Sequence, residues 1–246
     1  GIDWEKPDPT DPWANIGYWG DHQIIYLLKF LEFSRDHHPG TIEDFLGSDL
    51  FCYANIPYRI KSYKELLQDP HNTIVFDDEL DAAIEERVQK VGADGRLLWD
   101  KKNSIYKVNL TEKLLVTILC KLSNFIPEGG VWMNTQRPEW NDANNALVGF
   151  GVSMVTLYYI RRFQSYLLKL FSNASFSHIS ISVEVAKLLE SVNKTFINHQ
   201  YLLTGSFSNK ERKIVIDQLG QAACEYRDSI YKKSFSAKKV PIDRKD

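Results

Sequence analysis

The chain has 246 residues, of which 25% are charged and 43% hydrophobic, and a formal net charge of -2. A chain of this length can bury a core without staples, and this balance excludes a collagen-like or disordered chain. The near-zero charge gives no long-range attraction to a polyanion, so no nucleic-acid partner is expected.

In chain order, Ile24, Ile25, Leu27, Leu28, Leu31 and Phe33 recur at spacings of three and four, which predicts an amphipathic helix over 23–33 ending before Pro39 and Gly40. A short second pattern covers 42–51, a loop-like stretch carries Pro57, and a charged segment lies around 79–91. Asn109 with Glu112 three residues on reads as a capping box. Leu114, Leu115, Ile118, Leu119 and Leu122 then give a helix that stops before Pro127, Gly129 and Gly130. Asn141 or Asp142 can cap the next helix, which is carried to about Phe171. Its first part, 143–160, lacks any charge and is near the length of a membrane span. It also holds Asn144, Asn145, Gly149, Gly151, Ser153 and Thr156, which are costly against lipid. It is therefore read as a helix enclosed by protein, with Leu147, Met154 and Leu157 almost wholly buried and no membrane partner. Amphipathic patterns at 179–196 and 210–231 follow, and the basic, polar residues 232–246 read as a fraying tail.

No run of five or more positions alternates clearly between apolar and polar, and no Pro/Ser/Gly linker divides the chain. The expected fold is all-α, a single helical domain over 1–246. Cys52, Cys120 and Cys224 are an odd number without close spacing, against both a disulfide framework and a zinc cage, and no metal site is expected. Cys120 and Cys224 fall in apolar helical patterns and read as small core residues. Because Gly1 stands where a Met would begin a chain, the sequence is expected to be a piece of a longer protein.

Aromatic residues make up 13% of the chain, and two segments concentrate them beside polar groups at the start of a predicted helix. The first, 13–23, includes Trp13, Asn15, Tyr18, Trp19, Asp21, His22 and Gln23. The second, 132–145, includes Trp132, Arg137, Glu139, Trp140, Asn141 and Asp142. Sugars are held by this mixture, since indole faces take the C–H face while carboxylates and amides bond the hydroxyl rim. Glycosidic cleavage needs in addition a carboxylic acid to protonate the leaving oxygen, and each segment supplies one. Each residue also has a plainer reading. Asp21 and Asp142 stand where helix caps stand, Trp19 and Trp140 serve equally as core anchors, and His22 as a hydrogen-bonded structural residue. The repetition of Trp followed within two positions by Asp, more than a hundred residues apart, favours the sugar reading.

Trp140-Asn141-Asp142 resembles the Trp-Asn-Asp segment of the inverting glycoside phosphorylases that act on cellobiose and chitobiose. The segment from Gly17 through Tyr18, Trp19, Gly20 and Asp21 to His22 and Gln23 resembles their Gly-aromatic-Arg-Asp segment, with Gly20 where the family has Arg. Glu139 stands where the family has Asp. The resemblance covers about 13–163 and implies the (α/α)6 toroid of the six-hairpin glycosidases, with active-site loops at one end. It further implies inverting cleavage by water or phosphate, Asp142 as general acid, Asp21 as a sugar-hydroxyl ligand, and Trp19, Trp140 and Arg137 as walls. Glu139 is the neighbouring acid candidate, and His22, Gln23 and Asn141 complete the substrate-binding set. No cofactor is implied beyond inorganic phosphate as a co-substrate, and the partners are a disaccharide or oligosaccharide and the rest of a parent chain. The helical patterns amount to about half of the twelve helices a toroid needs, so an incomplete toroid is expected. The competing reading is a non-catalytic helical domain that binds carbohydrate or serves structure and interaction.

Overall fold

The computed structural model describes residues 20–70, 72–132, 151–174 and 176–243. Helices α1 (Gly20–His37) and α2 (Thr41–Phe45) precede strands β1 (Phe51–Cys52) and β2 (Tyr58–Ile60). α3 (Tyr63–Gln68), β3 (Ile74–Phe76) and α4 (Asp78–Val91) follow, the last running into a 3-10 turn (Gly92–Arg96). β4 (Lys107–Val108) leads into α5 (Leu110–Leu122), then come β5 (Phe125–Ile126), β6 (Gly130–Trp132), β7 (Val152–Ser153) and α6 (Met154–Ser172). β8 (His178–Ser182), α7 (Val183–His199), a second 3-10 turn (Gln200–Thr204), α8 (Asn209–Lys233) and β9 (Lys239–Asp243) complete the order.

Each main helix buries a stripe at the helical period. In α1 this is Ile24, Leu28 and Leu31; in α5 Leu110, Leu114 and Ile118; in α6 Ile160, Phe163, Leu167 and Leu170; in α7 Val185, Leu188 and Val192. These stripes meet in one contiguous core, joined by Val215 and Leu219 of α8. Side-chain caps fix the starts of several helices. Asp77 accepts from the Leu80 N–H at 3.0 Å, Ser153 from Thr156 at 3.1 Å, and Ser62 and Ser208 each head a reciprocal capping box.

The molecule is mostly helical, and among the described residues it also carries small antiparallel sheets: β1 with β4, β2 with β3, β5-β6-β7, and β8 with β9. Strands of two to five residues give too little alternation to read against helical neighbours. The pattern at 179–196 splits accordingly. Ile179 and Ile181 are buried from alternate positions of β8, and the helix begins only at Val183.

Three further expectations are corrected. The uncharged stretch is not one enclosed helix, because β7 precedes Met154, whose side chain is 41% exposed, and Val155 and Tyr158 are exposed as well. Leu157 is half-buried, and Leu147 lies outside the described residues. Segment 232–246 does not simply fray, since α8 runs to Lys233 and β9 pairs with β8 over five residues. Phe235 anchors it, stacked between Tyr53 (5.2 Å between ring centroids) and Tyr106 (5.1 Å), while Lys239 pairs with Asp49 at 2.6 Å. Cys224 is buried as expected, but Cys120 is exposed.

Candidate functional site

Of the sequence candidates, Trp19, Arg137, Glu139, Trp140, Asn141 and Asp142 lie outside the described residues. Asp21, His22 and Gln23 fall in the first turn of α1, and their side chains lie outside the description too. The helix thus starts three residues earlier than its apolar pattern, immediately after Trp19.

The elements flanking the two segments do come together. α1, which follows the first, packs side by side with α6, which follows the second. Arg162 donates to Glu32 at 3.0 Å across this contact, and the Tyr166 hydroxyl donates to the Leu31 carbonyl at 3.3 Å. The ion pair is half-exposed and contributes little, so the shared core of Ile24, Leu28, Ile160 and Phe163 carries the contact. On the other flank β6 pairs with β7, Val131 opposite Ser153 and Trp132 opposite Val152. The chain therefore leaves for the second segment and returns from it on adjacent strands, at the start of α6.

Sequence reasoning missed a buried polar cluster between α5 and α7. Asn109 caps α5 by accepting from the Glu112 N–H at 3.0 Å, but the Glu112 side chain does not turn back to close a capping box. Its carboxylate, fully buried, accepts from the Ser182 N–H at 2.8 Å, the Ser182 hydroxyl at 2.7 Å and the Tyr53 hydroxyl at 3.0 Å. Ser182 is the cap position of α7, so the carboxylate sits at a helix start, where the backbone dipole favours an anion. The Tyr106 hydroxyl shares a 2.7 Å hydrogen bond with the Ser182 hydroxyl. Burial, with Glu112 beside it, holds the Tyr53 phenol protonated far above the usual range, and burial pushes Tyr106 up to about 12. Lys113, lowered by burial, donates to the Cys52 carbonyl at 2.9 Å and lies 4.2 Å from the Tyr53 ring centroid. The carboxylate and the hydroxyls around it are hydrogen-bonded to one another, so the cluster clamps α5 to the start of α7.

Among the described residues, no group of three or more His, Cys, Asp or Glu is placed to hold a metal ion. Clefts among the described residues include one of about 330 Å³ lined by Lys29, Glu32, Phe33, Arg35 and Asp36 of α1 and Tyr166 of α6, and two others. A small polar one of about 220 Å³ lies between Asp49, Asn109, His178 and Ser180, and an apolar one of about 330 Å³ lies beside the second 3-10 turn. Comparison of the chain with protein-family models and with curated proteins finds no match. No described helix is long and apolar enough to cross a membrane.

Proposed function

We propose that the chain is a carbohydrate-active helical domain of the six-hairpin glycosidase type, which cleaves a glycosidic bond with inversion. In this reading Asp142 protonates the leaving oxygen while water or phosphate attacks the opposite face of the sugar. Asp21 accepts a sugar hydroxyl, Trp19, Trp140 and Arg137 form the walls, His22, Gln23 and Asn141 complete the substrate-binding set, and Glu139 is the alternative acid. The observation that carries it is the packing of α1 against α6, because α1 begins within the first segment and α6 begins past the second, just after β7, more than a hundred residues on. Phe30 and Phe33 on α1 and Val155, Tyr158 and Leu168 on α6 are exposed apolar side chains, of the kind that further hairpins of a toroid would cover.

The test is release of reducing sugar or sugar phosphate from a panel of disaccharides and glucans, with and without phosphate. Asp142→Asn keeps the size and one hydrogen-bonding oxygen of the side chain, so stability should change by only about 0.5 kcal/mol. It removes the transferable proton, and turnover should fall by about 10²–10⁴-fold. Loss on Glu139→Gln with full activity of Asp142→Asn would move the acid to Glu139. Full activity of both variants would place the acid outside this segment, and no cleavage of any glycoside would leave a non-catalytic carbohydrate-binding or interaction domain.

A further inference from the structure

Between the end of α7 and the start of α8 the chain passes beside the β5–β6 turn and leaves the apolar cleft of about 330 Å³. Phe125, Phe196, Phe207, Leu202, Leu203 and Val215 line it. Leu202 and Val215 are buried, the three phenylalanines are half-buried, and Leu203 is 80% exposed. Small-molecule sites span about 300–1,000 Å³, so a volume at the low end admits a single ring system.

The walls are held in place by an unusual turn. The Gly129 N–H donates to the Ile126 carbonyl at 3.0 Å, with Pro127 second in the turn and Glu128 third at φ 59°. That third position favours glycine, and a side chain there is strained. The Glu128 carboxylate accepts from the Phe207 N–H at 3.2 Å and from Arg212 at 2.6 Å. Arg212 also donates to the carbonyls of Pro127 at 3.0 Å and Phe207 at 3.3 Å. Turn and Phe207 are thereby locked together, at the expense of a backbone conformation that persists only where its surroundings demand it.

The polar groups at this cleft select against charged and sugar ligands. Each Glu128 oxygen holds a hydrogen bond and the charges of Glu128 and Arg212 offset, while His199 pairs through Nε2 with Gln218 at 3.1 Å and keeps a buried Nδ1 without a partner, enough for one phenol O–H or indole N–H and not for a sugar's rim of hydroxyls. Three half-buried aromatic rings remain, and aromatic pairs gain beyond the area they bury. We propose that this cleft is a binding site for a neutral planar aromatic group of phenol or indole size, independent of the residues assigned to sugar cleavage.

Titration of the chain with indole, phenol, cyclohexylmethanol and glucose, followed by the amide shifts of Leu203, Gly205 and Phe207, tests this. Indole and phenol should move these resonances saturably, glucose should not, and cyclohexylmethanol should bind about tenfold more weakly than indole. Glu128→Gly relaxes the turn but releases Phe207, so indole affinity should fall about tenfold. Leu203→Asp, at an exposed position that leaves the core untouched, should weaken indole by a similar factor by setting a carboxylate at the cleft mouth. Unsaturable shifts, equal binding of cyclohexylmethanol or glucose, or undiminished affinity in both variants would overturn the proposal.

Discussion

Glu112 shows how little a residue's sequence neighbourhood says about where its side chain goes. Three residues after Asn109 it completes a capping-box pattern, and only the Asn109 half of that pattern forms. A local bond back to Asn109 would leave the Ser182 N–H and the Tyr53 hydroxyl facing a buried carboxylate that ignored them, so the long-range set of three hydrogen bonds wins. Whether charge or hydrogen-bonding capacity matters here is separable by substitution. Glu112→Gln can keep its oxygen on the Ser182 N–H and turn its amide toward the two hydroxyls, which rotate to accept, so it should cost about 1 kcal/mol. Glu112→Leu leaves the Tyr53 hydroxyl and the Ser182 N–H without this acceptor, and the Ser182 hydroxyl with Tyr106 alone, and should cost about 3 kcal/mol or more in urea unfolding. If Gln proves as damaging as Leu, the anion at the start of α7 is the stabilising feature.

At the scale of elements, α8 poses a conflict between propensity and packing. Gly220 lies inside this 25-residue helix, where replacement by Ala ordinarily gains about 0.5–1 kcal/mol. A Cβ at Gly220, however, would fall into the Tyr63 ring. That ring is fixed by its hydroxyl bond to Asp217 at 2.8 Å, and its residue by the Tyr63 N–H bond to the Cys224 sulfur at 3.4 Å. Overpacking costs about 1–3 kcal/mol, so Gly220→Ala should destabilise on balance, and Tyr63→Leu in the same chain should restore most of the loss. A stabilising Gly220→Ala would mean that α3 docks loosely. The helices α1, α5 and α8 were legible because each repeats its apolar residues over three or more turns. The strands were not, because β1, β4, β5 and β7 have two residues each and take their identity from partners distant in sequence. The uncharged run at 143–160 misled for a related reason, since the absence of charge says nothing about where a strand such as β7 interrupts. β9 escaped notice because Lys238 just before it and Lys239 at its start read as solvated while Phe235, its anchor, lies outside the strand.

For the whole molecule, the proposed sugar site rests on two aromatic and acidic segments of the sequence, and the described structure adds only that the helices after them touch. Motif chemistry is local and reads from sequence, whereas the positions of side chains in such segments depend on contacts that no periodicity encodes. The rest of the assembly rests conspicuously on tyrosines that tie separate elements together: Tyr53 to α5, Tyr63 to α8, Tyr106 to the start of α7, and Tyr166 to α1. Burial raises the pKa of all four and of Tyr226, with Tyr106 pushed up to about 12. The charged form is the deprotonated one, so these groups favour the folded state while neutral. In the unfolded chain they ionise near pH 10, before they do so in the fold. Unfolding then releases protons, and stability falls as pH rises from about 10 through 12 and beyond. Alkaline titration should therefore show the phenolate absorbance of these five appearing together with the loss of helical circular dichroism. Complete ionisation of all 12 tyrosines with helical dichroism intact would show that the ties are dispensable. The Tyr53→Phe chain makes the test specific, because it removes the proton that Glu112 opposes losing. Its midpoint of alkaline unfolding should move upward even though its stability at pH 7 falls by about 1 kcal/mol with the lost hydrogen bond.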